Sequence, residues 1–253
     1  MMLITGHRGF IGGNMMRAFP DARGYEWGDG KVDLAGISRV IHLGAVTDTQ
    51  CDNWSLLAER NVNFTRELLH DCAERQIPIQ IASSASVYGS GPVFREDAAV
   101  FPLTDYAISK RIVELYALDR KWPMPVQLFR YFNVHGPYED NKSQPSPHTR
   151  FLRQAAALGY IEVFEGSEDI KRDFVPVEEV IRIHRRFFDL DVSGVYNVGT
   201  GTATSFMDVA RAVAAETGVD IVEVPMPDIK GYQRYTCADM TKTYAALSQG
   251  DGQ

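Results

Sequence analysis

Short apolar runs alternate with longer segments of helical period along most of the 253-residue chain. Met2-Thr5, Gly24-Trp27, Arg39-Leu43, Pro78-Ala82 and Val126-Phe129 have strand length and are bounded by Gly, Pro, Ser or charge, which predicts buried strands. Between them, Phe10-Phe19, Ser55-Arg75 and Thr104-Arg120 read as helices, the last with Ile108, Ile112, Leu115 and Tyr116 on one stripe. Alternation of this kind predicts an α/β fold: a doubly wound parallel sheet with helices on both faces. After Gly136-Pro137 the pattern gives way to a polar, Pro-containing stretch, Tyr138-Pro147, where a smaller C-terminal lobe is expected to begin.

Composition narrows the class. With 45% hydrophobic and 23% charged residues the chain is an ordinary globular one, long enough to bury a core without staples. Its net charge of −7 argues against a nucleic-acid surface but leaves room for local phosphate pockets. Cys51, Cys72 and Cys237 are odd in number and have no CxxC spacing, so neither a disulfide framework nor a metal site is expected, and a reducing cytoplasm is. The start has no basic region leading an apolar stretch, and no apolar run approaches membrane-spanning length.

Thr5-Gly6-His7-Arg8-Gly9-Phe10-Ile11-Gly12 follows the first strand and opens the first helix. That is the context of a Rossmann-type dinucleotide turn: glycines admit a pyrophosphate to the backbone N–H groups, and the helix N-terminus adds partial positive charge. The acid that reads the adenosine ribose is not fixed by position, because the region after the second strand is compressed. Glu26, Asp29 and Asp33 all lie at or beyond the end of the second strand.

A second constellation carries chemistry. Ser83-Ser84-Ala85-Ser86-Val87-Tyr88-Gly89 follows a strand, and Tyr106-Ala107-Ile108-Ser109-Lys110 opens a helix about twenty residues later. Residues four apart share a helix face, so the Lys110 ammonium can approach the Tyr106 phenol. A phenol titrating near 10 is a weak base at neutral pH and needs about 4 kcal/mol of selective phenolate stabilisation to work there. Ser84 would position and polarise the reacting oxygen. Tyr138 and Lys142 share the spacing but lie in a Pro-flanked stretch, so Tyr106 is the candidate acid/base.

The GxxGxxG turn with this Ser, Tyr and Lys resembles the extended short-chain dehydrogenases/reductases, the NAD-dependent epimerase/dehydratase family, over residues 1 to about 247. The resemblance implies a nucleotide-binding domain over 1-137 plus about 174-198, and a substrate-binding lobe over about 138-173 and 199-253. It implies that Gly6, Arg8, Gly9, Phe10, Ile11, Gly12, Asp33, Leu43, Gly44, Ala45, Asn61, Ser83, Tyr106, Lys110 and Val134 face the cofactor. That cofactor is NADP or NAD, the GHRG turn pointing to NADP through Arg8. Phe129-Val134, Phe164-Val175, Asn197-Gly201 and Lys230-Gln233 resemble the ADP-L-glycero-D-manno-heptose 6-epimerases, the branch the reading favours. In that branch the ketone formed at C6 turns within the enzyme and is reduced on its opposite face, with Lys142 as second acid/base group. Ser84, Asn133, Phe164, Glu165, Gly166, Ser167, Arg172 and Tyr232 would hold the nucleotide-diphosphate sugar, with Arg172 on the diphosphate; the alternative for Arg172 and Asp173 is an internal ion pair.

Ala85 and Ser86 stand where dehydratases carry an acid, which favours epimerisation over elimination. An ADP-heptose would imply lipopolysaccharide assembly. His135 stands where the heptose epimerases usually have tyrosine, the chain is shorter than the family norm between the second and fourth strands, and no closing helix is expected after Ala238-Asp239-Met240. The alternatives are a UDP-, GDP- or dTDP-sugar 4-epimerase or 4-keto-sugar reductase and, from another class, a non-catalytic NAD(P)-binding protein. A homo-oligomer is expected through antiparallel pairing of the Ser55-Arg75 and Thr104-Arg120 segments.

Overall fold

The structure, a computed structural model, describes residues 1–139, 142, 144–229 and 231–250; Lys230 of the Lys230-Gln233 stretch lies outside them. Strands β1 (Met2–Thr5), β2 (Arg23–Tyr25), β3 (Arg39–His42), β4 (Ile79–Ser84), β5 (Val126–Tyr131) and β9 (Gly194–Val198) form one parallel sheet in the order β2-β1-β3-β4-β5-β9. Successive residues point to opposite faces, so Leu3 and Val40 pack under α3 (Phe64–Glu74) and α4 (Asp105–Leu118) with Leu68, Leu69 and Val113. Ile4 and Ile41 pack on the other face, with Met15 of α1 (Phe10–Ala18) and Val180, Ile183 and Phe187 of and beyond α6 (Val177–Arg186).

A Rossmann sheet ordinarily carries a further strand outside β2. Here residues 26–38 return directly from β2 to β3, and β2 is the edge. The chain order reverses between β1 and β3, which opens the crevice where such sheets bind ligands.

Beyond β5 the chain builds two small sheets: β10 (Ala203–Ser205), β8 (Lys171–Pro176) and β6 (Asn133–His135), and a parallel pair of β11 (Asp220–Val224) with β7 (Tyr160–Phe164). The pair packs through Ile161 and Val163 against Phe151 of α5 (Pro147–Leu158) and Met207, Ala210 and Val213 of α7 (Phe206–Thr217). Asp173 ties this region together: it is buried, accepting from Thr200 N and Oγ1 (2.8 and 2.7 Å), Gly201 N (2.9 Å) and Ala238 N (3.0 Å).

Several expectations are corrected. The Ser55-Arg75 segment is not one α-helix but α2 (Trp54–Leu57), a π-helical stretch (Ala58–Asn63) and α3. The extra residue per turn brings Asn61 inward, 2% exposed. The α4 stripe faces outward, with Ile108 37% and Leu115 51% exposed, because Tyr106, Lys110, Val113 and Glu114 occupy the sheet side. Residues 241–250 do form a closing helix, α8 (Thr241–Gly250), whose Ala246 and Leu247 join the main core and whose Thr243 hydroxyl donates to Asn197 O of β9 at 2.7 Å. These residues, within the 199-253 stretch expected in the lobe, pack on the main sheet, and β6, within the 1-137 stretch expected in the nucleotide-binding part, pairs with β8.

Beneath β4 and β5, Glu114 accepts from Arg130 Nε and Nη2 (2.8 and 2.7 Å), Arg111 Nη1 (3.0 Å) and Ser83 Oγ (2.6 Å), with Glu114 fully buried. Glu114→Ala strands the buried Arg130 guanidinium and is expected to destabilise the fold by about 3–5 kcal/mol, read as a lower midpoint in urea.

Candidate active site

The crevice between β1 and β3 is shaped by backbone. Gly6 has φ +70°, and a Cβ there would lie 2.7 Å from the Gly44 backbone. A Cβ on Gly12 would lie 2.0 Å from the Gly6 carbonyl oxygen. Only glycine permits these approaches. α1 starts at Gly9 with no side-chain cap and no acid in its first turn, so its leading N–H groups and dipole are open to an anion. That combination fits a dinucleotide pyrophosphate.

A hydrogen-bond chain fixes the opposite wall. Thr65 Oγ1 donates to Asn61 O at 2.6 Å, so its 2.8 Å contact with His42 Nε2 has the imidazole as donor. Nδ1 then accepts from Thr5 Oγ1 at 2.6 Å, and Thr5 accepts from Gly44 N at 3.1 Å. Burial, with Lys110 adding repulsion, pushes His42 down to about 3 and keeps it neutral, as this relay requires. Asn61 is committed to the same wall: its side chain accepts from Val46 N (2.8 Å) and donates to Val46 O (3.1 Å) and Ser109 Oγ (3.0 Å). It holds the Leu43-Gly44-Ala45 segment instead of reaching into the crevice.

Two other expected cofactor residues are engaged elsewhere. The Ser83 hydroxyl faces Glu114, below the sheet end. Asp33 lies away from the turn, accepting from Ala35 N at 2.8 Å and pairing with Arg23 at the start of β2, which hold it below the usual carboxylate range. Beside the turn stands Glu26, at the carboxyl end of β2, accepting from Arg8 N at 2.6 Å. Arg8 itself is exposed. Next to Glu26 a cavity of about 370 Å3 opens between Tyr25, Trp27 and Phe64.

Ser84, Tyr106 and Lys110 meet at the end of β4. Ser84 Oγ accepts from Ser86 Oγ at 2.9 Å and hydrogen-bonds the Tyr106 phenol, opposing the upward push that burial gives that phenol. Lys110 lies four residues on, its Nζ 5.9 Å from the Tyr106 ring centre and donating to Ala82 O at 3.0 Å. Burial lowers Lys110 to about 8, against the opposing field of Glu114. An ammonium with so little solvation of its own is available to stabilise a phenolate.

Lys142 approaches the start of α1. Its Nζ donates to Val134 O at 2.9 Å and lies 5.0 Å from the ring centre of Phe10, which opens α1 beside Ile11. Burial lowers its pKa, while Glu139 pulls it up. It lines a cavity of about 170 Å3 with Asn133, Val134, Arg150, Phe174 and Phe206. Around that space Arg150 lies over Phe164 (5.6 Å), and Arg172 lies 5.1 Å from the Tyr232 ring. Glu165, Gly166 (φ +73°) and Ser167 turn the chain out of β7, Ser167 buried and its N donating to Phe164 O at 3.0 Å. Arg172 and Asp173, neighbours on β8, point to opposite faces and form no internal pair. Arg150, Phe206, Glu139 and His42 escape sequence reading; only Arg150 has a local cue, one turn beyond the Ser146-Pro147 helix start.

Among known families, residues 30–199 match the NAD dependent epimerase/dehydratase family. The chain belongs to that family. It is 36% identical over 221 residues, 83% of this chain and 70% of the other, to an ADP-L-glycero-D-manno-heptose-6-epimerase of Brachyspira hyodysenteriae. The Helicobacter pylori ADP-L-glycero-D-manno-heptose-6-epimerase structure superposes with a TM-score of 0.83 at 25% identity, covering 98% of this chain and 89% of that one. MoeE5, solved with UDP-glucuronic acid and NAD, superposes with a TM-score of 0.84 at 25% identity, covering 98% and 92%. This family member is thus an enzyme of the nucleotide-sugar epimerase kind with the parallel Rossmann-type sheet of its relatives. Among the described residues no helix is long and apolar enough to cross a membrane, and no acid, His or Cys cluster could hold a metal ion.

The buried lysine sets a pH dependence. Lys110 titrates at about 8 in the fold and at 10.5 when free, so the unfolded chain binds more protons between those values. Its penalty is full below pH 8 and fades as pH rises towards 10.5. Denaturation of the wild type and Lys110→Met at about pH 7 and 10 is expected to show the wild type gaining on the variant by roughly 2–3 kcal/mol.

Proposed function

We propose that the enzyme inverts one secondary alcohol of a nucleotide-diphosphate sugar by oxidation to a ketone and reduction from the opposite face, with C6 of an ADP-glycero-manno-heptose as the substrate of first choice. The observation that supports this reading is the meeting of Ser84, Tyr106 and Lys110 at the end of β4, together with a second buried amine, Lys142, beside Phe10 at the start of α1. The 36% identity to the Brachyspira hyodysenteriae heptose epimerase supports the sugar.

A bound nicotinamide dinucleotide supplies the acceptance and return of hydride. This chain's residues handle the proton and the geometry. Ser84 orients the reacting oxygen, Tyr106 exchanges its proton, and Lys110 stabilises the phenolate. Lys142 offers a second proton site, which inversion needs because the oxygen leaves one orientation and regains its proton in another. Ala85 and Ser86 beside Ser84 bring no carboxylate, so elimination of water lacks its acid/base group. Arg150 and Arg172 supply cationic charge for a diphosphate.

For the dinucleotide the reading is NAD. The Glu26 carboxylate holds the place beside the turn where a 2′-phosphate would sit, and its repulsion outweighs the exposed Arg8. The adenine then falls to the neighbouring Tyr25-Trp27-Phe64 cavity. The outward α4 stripe, Ile108, Leu115 and Leu118, suits a second copy of the chain.

Incubation with ADP-D-glycero-D-manno-heptose is expected to invert C6, read by NMR, without added reductant, and Tyr106→Phe to lose at least about a hundredfold in kcat with the fold intact. An untouched heptose alongside inversion of a UDP- or dTDP-sugar would reassign the substrate and keep the chemistry. NAD is expected to bind more tightly than NADP, with Glu26→Ser narrowing the gap. Leu115→Asp is expected to shift the protein towards monomer in sedimentation.

A further inference from the structure

Lys142 lies between β6 and α5, outside both, yet its amine stands at a defined place. A long side chain on such a segment keeps its position only if the backbone beneath it is fixed. Glu139, 3% exposed, supplies that fixing. One carboxylate oxygen accepts from Gly136 N at 3.0 Å and the other from Ser146 N at 2.6 Å, so a single side chain joins the two ends of the segment. The Glu139 carbonyl accepts from Lys142 N at 3.0 Å. We propose that Glu139 is the positioning residue for Lys142, tying Gly136 to Ser146 on either side of it so that the amine is held beside Phe10. The inference rests on the reading of Lys142 as the second proton site.

The anchors at either end are themselves rigid. Gly136 has φ +146°, and a Cβ there would lie 2.7 Å from the Val177 side chain; Ser146 caps α5 by accepting from Thr149 N. The elbow is also fastened to the dinucleotide turn: Asn14 Nδ2 donates to both Phe10 O and Pro137 O at 3.0 Å, and Arg17 lies 3.7 Å from the Tyr138 ring, a residue at φ +68°. Movement of α1 and movement of the lysine segment are therefore coupled. Without the Glu139 carboxylate, the Gly136 and Ser146 N–H groups lose their acceptor.

Charge points the same way. Burial lowers Lys142 and Glu139 is the anion that raises it. The other charged or titratable groups facing this space are His135, itself lowered by burial and acted on by Glu139, Lys142, His148 and Glu178, and Arg150 across the cavity. Glu178 acts on His135, whereas the anion acting on Lys142 is Glu139, so removing the Glu139 charge moves the Lys142 titration to lower pH.

The test uses the full chain with Glu139→Gln and Glu139→Asp. Competitive labelling of amines with acetic anhydride over roughly pH 6 to 11, quantified on the Lys142 peptide by mass spectrometry, gives the Lys142 midpoint without any assay of activity. For Glu139→Gln the midpoint is expected to fall and kcat to drop about 10- to 100-fold with a smaller change in KM, the size of effect that loss of placement produces. Glu139→Asp, which keeps the charge but shortens its reach, is expected to hold the midpoint while lowering kcat. A folded Glu139→Gln with both the midpoint and kcat of the wild type overturns the proposal. If Glu139→Gln does not fold, an unchanged kcat in Glu139→Asp does so instead. Lys142→Met separates the two levels: full epimerisation by that variant removes the role given to Lys142, while the labelling midpoint still decides whether Glu139 holds the amine.

Discussion

The carboxyl end of the central sheet depends on the backbone of Gly6 lying directly against that of Gly44. With no side chain between them, β1 and β3 end level, and the turn after one and the segment after the other form a single floor. The Thr5-His42-Thr65 relay then makes the floor stiff, because each hydroxyl and ring nitrogen in it has one direction of donation open to it. A charged His42 would break that direction, and burial forbids the charge. The chemistry stands on this floor, although none of these residues touches the reacting carbon in the proposed reaction.

Two lysines illustrate how one residue type is held in two different ways by its surroundings. Lys110 is held by a helix packed on the sheet, next to a buried carboxylate that is itself locked by two arginines and a serine. Its position is a property of the core. Lys142 lies between β6 and α5, where the buried Glu139 joins Gly136 to Ser146 on either side of it and Val134 O takes the amine. The first is therefore sensitive to packing changes two layers away, the second to changes in one loop.

Much of this was legible in the sequence where the signal is local. The glycine turn, the Tyr106-Lys110 spacing and the strand and helix order all follow from neighbours a few residues apart. What failed was information carried between distant segments. Asn61 sits at a position suited to a ribose, but Val46 and Ser109 take its amide. Ser83 and Ser84 look alike in sequence, yet strand alternation sends one to Glu114 and the other to Tyr106. The buried side of α4 mixes Tyr106, Ser109, Lys110 and Glu114 with Ala107, Val113 and Ala117, so periodicity alone does not show that Ile108 and Leu115 face outward. The closing helix leaves little apolar trace, because of its buried residues Thr243, Ala246 and Leu247 one is polar and one is small.

The edge of the sheet has a consequence of its own. The outermost strand, β2, spans only Arg23–Tyr25, and the connection that leaves it has no helix. Every residue proposed to move a proton is supported from β4, β5 or the segments after them, on the other side of β1. The fold is thus modular in an uneven way: its rim can be shortened or extended between Glu26 and Ser38 with the reaction centre left in register, so that natural length variation in this architecture would collect at the dinucleotide's adenosine end and retune which coenzyme is held without redesigning what is done with it.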